Sequence, residues 1–247
     1  MISVALASFN GSRFILPQVE SILEQLGADD ELVVADNGST DGTWEILTDL
    51  SKRDLRVKIF LNDQIKGVIQ NFAYALQQCQ GEIIFLADQD DLWYPTKVKA
   101  ILDVFDRNSP VLLIQSDAEL IDENGQLLEP SFFALRQSGP GVLKNFWRNT
   151  YQGCTLAFRK SLLAVALPFP AHLPMHDMWL GILAEWTGKV LFIPDRLTAY
   201  RRHAGNKSGL LPRETRQVIR WRVDLAIALI SRLHKAVQIR QANRRSL

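Results

Sequence analysis

Asp88, Asp90 and Asp91 put three carboxylates within four residues. Like charges this close repel one another, and a hard divalent cation or a network of donors stabilises such a set. Mg2+ or Mn2+ suits it, because an ion held by only one or two carboxylates keeps coordination positions for phosphate oxygens. The competing structural reading is an acidic strand-to-helix turn with a helix cap at Asp91. Other polar groups recur at the ends of apolar runs: Ser8-Phe9-Asn10-Gly11, Asp36-Asn37-Gly38-Ser39-Thr40-Asp41-Gly42-Thr43, Lys66-Gly67, His176-Asp177 and Tyr200-Arg201-Arg202-His203.

The elements that must position these groups follow from hydrophobic pattern. Ile83–Ala87 is an unbroken apolar run that stops at carboxylates, which reads as a strand buried on both faces. Pro95 suits the first turn of the helix behind it. Upstream, Ile2–Ala7, Glu31–Ala35 and Val57–Leu61 read as strands, and Gln18–Leu26, Trp44–Ser51 and Val68–Cys79 as helices, with Asp41 or Thr43 capping the second. Strands and helices alternating in this way predict right-handed βαβ units and a doubly wound, mostly parallel α/β sheet. In such sheets ligands gather at the carboxyl ends of the strands, where the polar groups fall. The second half is less regular: strands at Val111–Gln115, Cys154–Phe158 and Val190–Ile193, a hairpin around Asn124-Gly125 within Glu119–Leu128, and helices at Lys160–Val165 and Asp177–Trp186. Phe132–Trp147 reads as a loop plus a short helix, and Pro168–Pro174 as a proline-spaced loop.

At 247 residues the chain is long enough for one large α/β domain with a helical tail, and a composition 47% hydrophobic and 22% charged is that of an ordinary soluble globular protein. The net charge of +1 gives no argument for nucleic acid. Its distribution is uneven, because residues 213–247 hold nine Arg and Lys against two acids. Cys79 and Cys154 have no metal-like spacing and read as buried thiols of a reducing compartment. Met1–Phe9 has no basic leader and no run reaches the length of a membrane span, so a cytoplasmic protein is expected. Neither a Gly-x-Gly-x-x-Gly turn nor a Walker A sequence is present, which disfavours dinucleotide and P-loop chemistry.

Taken in order, the motifs Ala7–Gly11, Asp36–Asp41, Gly67–Asn71, Asp88-Gln89-Asp90-Asp91 with Trp93, His176-Asp177, and Tyr200–His203 with Asn206 resemble glycosyltransferase family 2, of GT-A fold, and its bacterial rhamnosyltransferase-like members. The likeness covers about residues 2–208. It implies an inverting, metal-dependent transferase that moves a sugar, with rhamnose as a candidate, from a UDP- or dTDP-sugar to a hydroxyl of a saccharide or lipid-linked acceptor in bacterial surface polysaccharide synthesis. The expected division is a catalytic domain over 1–212, with a nucleotide-sugar half (1–115) and an acceptor half (116–212), and a basic tail over 213–247.

Ser8, Phe9 and Asp36 would then form the base and ribose pocket. By resemblance Phe9 lies against the base, where the family often has Tyr, and Asp36 accepts the imide hydrogen; an Asx turn is the bland alternative for Asp36. Lys66-Gly67, at a helix start, could meet a diphosphate or be a solvated turn, and Asn71 could reach the site or only cap a loop. The family implies that Asp88 handles ribose or a metal-bound water, Asp90 binds the metal and His203 completes its coordination. Arg201 and Arg202 could contact phosphate oxygens. Asp177 is the candidate general base, its alternative use being an N-cap; His176 could orient it, and Asp117 is a second carboxylate candidate.

In the tail, Val218, Trp221, Leu225, Leu229, Leu233 and Val237 recur at helical spacing among Arg220, Arg222, Arg232 and Lys235. Such a basic amphipathic helix could lie on the inner face of an anionic membrane, or pack on its own domain or on a second subunit. Two other functions fit parts of the pattern. A sugar-phosphate nucleotidyltransferase would need a Gly-rich basic signature that Ser8–Arg13 matches poorly, and a non-catalytic nucleotide-binding scaffold would leave Asp177 without a task.

Overall fold

The computed structural model describes residues 1–63, 65–203 and 215–245, the side chains of residues 215 and 233–245 excepted. Its first part alternates as the pattern requires: β1 (Ile2–Ser8), α1 (Ile15–Leu23), β2 (Glu31–Asp36), α2 (Thr43–Arg53), β3 (Val57–Leu61), α3 (Val68–Gln78) and β4 (Ile83–Asp88). These four strands are parallel in the order β3-β2-β1-β4, and their register sets Ser8 beside Asp36 and Ala7 beside Asp88. The polar groups at their ends thereby share one edge. Side chains alternate between two cores: Val4, Leu6, Leu32 and Val34 meet α1 and α2, while Ala5, Ala7, Val33 and Ala35 meet α3. Burial on both faces is why β1, β2 and β4 are largely apolar rather than alternating, whereas the edge strand β3 is only partly buried and carries the exposed Lys58. At the opposite edge Gly81 passes so close to β1 that a Cβ there would stand 2.4 Å from the backbone of Ile2 and Ser3.

Beyond β4 the chain adds β5 (Leu92–Trp93), α4 (Lys97–Arg107), β6 (Val111–Ile121), β7 (Leu127–Glu129), α5 (Phe132–Arg136), α6 (Val142–Trp147), a 3-10 turn (Gly153–Thr155), β8 (Leu156–Arg159), a second 3-10 turn (Lys160–Leu162), α7 (Leu163–Ala166), α8 (His176–Thr187) and β9 (Lys189–Arg201). The sheet continues β4-β8-β6-β9-β5, with β7 on β6. β1 to β4, β6 and β9 run one way, and β5, β7 and β8 run against them. Helices cover both faces, so the doubly wound, mostly parallel reading of the sequence holds. The expected hairpin is also present: Asp122 Oδ1 accepts the amides of Asn124 and Gln126 at 2.8 Å each, and Gly125 has φ +86°.

Several expected boundaries move. β9 does not stop at Ile193 but continues through Pro194 to Arg201, pairing with β6 through register shifts around Asp117. Those irregularities let a proline sit in a long strand. β6 likewise runs on past Gln115, and α4 starts at Lys97, so Pro95 precedes the helix instead of opening it. The expected strand from Cys154 begins only at Leu156, and α1 starts three residues earlier than Gln18. The tail forms α9 (Thr215–Arg245), which packs Leu225, Ala228 and Leu229 into the core beside α8.

Candidate active site

The acidic turn is held from several directions. Gln89 clasps the loop after β1: its Oε1 accepts the Phe9 amide (2.8 Å) and its Nε2 donates to the Phe9 carbonyl (3.1 Å). Gly11 permits this, because a Cβ there would stand 2.4 Å from Gln89 Oε1. Asp90 Oδ2 lies 2.7 Å from His203 Nε2, and His203 packs on the Phe14 ring with centroids 5.2 Å apart. Asp91 Oδ1 accepts the Arg201 amide (2.8 Å), so Asp91 ties the turn to β9 and does not cap α4. The Arg201 guanidinium donates to the carbonyls of Asp90 (2.8 Å), Asp122 (3.1 Å) and Glu123 (3.3 Å) and lies over Phe14. These bonds make it a brace of the turn, a role beyond the phosphate contact expected of it. Arg202 donates to the Tyr200 hydroxyl at 3.0 Å.

Beneath the turn lies a group that the sequence reading left unassigned. Oxygens of Asp88 and Asp91 and the Cys154 Sγ fall within 4.8 Å of one another. Burial, the neighbouring carboxylates and, for Asp88, also Asp177 push both acids up from the ordinary carboxylate range. Their internal countercharge is Lys97, 1% exposed, which donates to the Cys154 carbonyl (2.7 Å) and Thr198 Oγ1 (2.8 Å) and sits 4.1 Å from the Trp93 ring centroid. Burial pulls its own proton affinity down to about 8, against the pull of the acids. With that ammonium already beside them, Asp88, Asp91 and Cys154 are poorly suited to hold an ion of their own. Asp90 and His203 offer the better pair, one carboxylate oxygen and one imidazole nitrogen, a set that suits Mn2+ more than Mg2+.

At the ends of β1 and β2, Asp36 is fully buried and accepts from Ser8 Oγ (2.7 Å), Ser39 Oγ (2.6 Å) and the amides of Gly38 (3.0 Å) and Ser39 (2.8 Å). The Asx turn is therefore present, and it fixes the loop beside the exposed Phe9 ring. Lys66 Nζ donates to the Asn37 carbonyl at 2.7 Å, which brings its ammonium to the same loop. Asn71 donates to the carbonyls of Ser8 (3.2 Å) and Ala35 (2.7 Å), lacing β1 to β2 from within.

Asp177 stands in the first turn of α8 and is buried. Its Oδ1 accepts from Asn149 Nδ2 (3.0 Å) and the Met178 amide (2.6 Å). Burial raises its pKa to about 6, against the opposing pull of the Met178 amide, Asn149 and the Gly153 amide. A group poised there at neutral pH has the proton affinity that a general base needs. His176 is not the partner that orients it. Its ring stacks on Phe72 with centroids 4.2 Å apart, neither nitrogen has a hydrogen-bond partner, and burial lowers its pKa to about 3. Gly153 makes room for it, since a Cβ there would lie 2.9 Å from His176 Nε2. Asp117 is spent on Ser131 Oγ (2.6 Å) and the amides of Ala118 and Phe133, both at 2.8 Å. Gln89, Lys97, Asn149 and Gly153 are thus the supporting residues that sequence reasoning missed. Only Lys97 left a signal, as a lysine on the face that Val98, Ile101 and Phe105 bury. Asn206 lies outside the described residues.

The sequence matches the family described as Glycosyl transferase family 2 over residues 3–165. An uncharacterized glycosyltransferase of Nostoc sp. is 27% identical over 216 residues, 83% of this chain and 66% of that protein. The Escherichia coli UDP-Glc:alpha-D-GlcNAc-diphosphoundecaprenol beta-1,3-glucosyltransferase WfgD is 27% identical over 190 residues, 75% of this chain and 70% of that one. Among solved structures, Staphylococcus aureus TarS in complex with UDP-GlcNAc superposes with a TM-score of 0.70 at 20% identity, over 97% of this chain and 70% of TarS. The mannosyltransferase PcManGT from Pyrobaculum calidifontis, in complex with GDP-Man and Mn2+, gives 0.64 at 19% identity, over 96% and 64%. This chain spans just under two thirds of the length of the Nostoc relative.

Proposed function

The chain belongs to glycosyl transferase family 2, and from that premise we propose that it transfers a sugar from a nucleotide-diphospho-sugar to an acceptor hydroxyl by a single inverting displacement. The observation that supports this is one of placement: Cys154 Sγ lies within 4.8 Å of oxygens of Asp88 and Asp91, and the preceding Gly153 packs against His176 beside Asp177, which supports one site shared by the end of β4 and the start of α8. Gln89 joins that site to Phe9 and hence to the Ser8–Asp36 loop.

In this reading the base lies on Phe9, the Asp36 loop and Asp88 receive imide and ribose, and Lys66 meets the diphosphate. Asp90 and His203 would hold Mn2+ or Mg2+, and the charge such an ion supplies would offset that of the departing diphosphate. Asp177, oriented by Asn149 and the Gly153 amide, takes the proton of the acceptor hydroxyl as the glycosidic bond forms. Inversion requires no covalent intermediate, as in hydrolases where one carboxylate activates the incoming oxygen. Residues 1–115 form the donor half and 116–212 the acceptor half.

A UDP-sugar is favoured over a dTDP-sugar by the names of WfgD and of the TarS complex, and the rhamnose reading rests on sequence resemblance alone. The diphosphoundecaprenol-linked sugar on which WfgD acts also supports a lipid-linked saccharide as acceptor, and surface polysaccharide synthesis at the inner face of the cell membrane completes the proposal. Calorimetry with UDP- and dTDP-sugars, with and without Mn2+, tests the reading. Expected are Mn2+-dependent donor binding, and an Asp177→Asn variant that binds donor but does not transfer. Metal-independent or absent donor binding would point to a scaffold, and loss of donor binding in the variant would remove Asp177 from the base role.

A further inference from the structure

The tail helix α9 carries two apolar faces. Leu225, Ala228 and Leu229 are buried against the domain, which accounts for the described part of the row seen in the sequence; the side chains of Leu233 and Val237 lie outside the described residues. Ile219, Val223, Ile227 and Ile230 fall within about 80° of one another at 100° per residue, on the far side of the helix from the buried set. They are 58, 51, 62 and 65% exposed. Exposed Arg216 and Arg220 share that side. The end of α6 adjoins α9, where Arg222 Nη2 donates to the Trp147 carbonyl at 2.9 Å. One turn apart on α6, Leu143 and Trp147 are 76 and 68% exposed. Six large apolar side chains grouped on two adjoining helices are more than scattered surface hydrophobics.

We infer that the outer face of α9 and the tip of α6 dock on an anionic lipid surface. Charge selects this occupant over a second copy of the chain. The sequence of α9, Thr215–Arg245, holds eight basic residues against one acid, so two such helices face to face would repel, whereas acidic headgroups attract them. An exposed tryptophan beside aliphatic side chains and arginines is also the composition of a helix lying in a bilayer interface. No described helix is long and apolar enough to cross a membrane, so the contact is peripheral. The surface adjoins the acceptor side: Trp147 is two residues from Asn149, which holds Asp177. That last link rests on the reading of Asp177 as base, while the lipid contact itself does not.

The test is flotation of the full chain with phosphatidylcholine vesicles, with and without phosphatidylglycerol. Binding is expected only to the anionic vesicles, to fall with added salt, and to weaken about tenfold or more in a Val223→Asp/Ile227→Asp variant and in Trp147→Ser. Donor binding and melting temperature should stay unchanged in both, because the sites are exposed. Asp177→Asn should bind vesicles as the unmodified chain does, so failure of the base reading and failure of the lipid reading are distinguishable. Absence of vesicle binding, equal binding to neutral vesicles, undiminished binding by both variants, or a dimer in sedimentation velocity that Val223→Asp abolishes would each overturn the inference.

Discussion

Replacing Asp177 with Asn should make the protein more stable at the pH where it makes it inactive. Asp177 is 3% exposed, and its burial raises its pKa to about 6 from the 3.8 of a free aspartate. A carboxyl whose folded pKa is raised contributes fully below its unfolded pKa, and that contribution is lost as pH rises through the folded value. At 1.36 kcal/mol per unit, the ionised side chain therefore costs the fold about 3 kcal/mol above pH 6. Asn carries no such cost, and its Oδ1 can still accept from Asn149 and the Met178 amide. Its amide group opposes the Gly153 N–H, which takes back about 1 kcal/mol. The expected net gain at pH 8 is about 1 to 2 kcal/mol in urea denaturation. That last loss is the same at every pH, so the sharper measure is the change in the gap. Between pH 8 and pH 5 the advantage of Asn should shrink by about 1.4 kcal/mol as Asp177 takes up its proton. Transfer by the unmodified protein should rise with pH through about 6, and the variant should lose roughly a hundred- to ten-thousandfold in kcat. A gap that stays constant with pH, or an Asn variant less stable at pH 8, would refute the reasoning.

Lys97→Met should destabilise the fold by about 3 kcal/mol, because it leaves Asp88 and Asp91 buried without their cation. The loss should be greater at pH 8 than at pH 5, and an unchanged urea midpoint would show that Lys97 is not their countercharge. Gly153→Ala drives a methyl group onto His176 and should cost about 1 to 3 kcal/mol. In the same variant kcat should fall more than donor affinity, since the Gly153 amide supports Asp177. His203→Ala should lower Mn2+ affinity about tenfold or more and, because Asp90 loses its partner and Phe14 a packed ring, cost the metal-free protein about 1 to 2 kcal/mol, a comparison that calorimetry and thermal unfolding make directly.

How far the sequence could be read depended on where the information lay. β1, β2 and β4 were legible because burial on both faces forces largely apolar runs that stop abruptly at Ser8, Asp36 and Asp88. Their parallel pairing then carries these polar ends to one edge. β9 was cut short because Pro194, Asp195 and Arg196 look like a turn, and only register shifts against β6 show how they are accommodated. That extension decides the placing of Arg201. Read alone, it is a basic loop residue free to meet phosphate; on the strand, it is locked to three carbonyls. Asn149 and Gly153 were invisible for a different reason, since their importance lies in distant partners and not in a local pattern. α9 misled in part, because its outward isoleucines interleave with its inward leucines and only packing separates the two sets.

The Gln89 clasp has a thermodynamic consequence. A side-chain amide that both donates to and accepts from the Phe9 peptide ties the loop proposed to bind the base to the turn proposed to bind the cation. Occupancy of one then biases the other, and reciprocity demands that each ligand strengthen its companion by the same factor. Cutting that bridge with Gln89→Ala should leave two weaker, independent affinities where there had been one shared equilibrium.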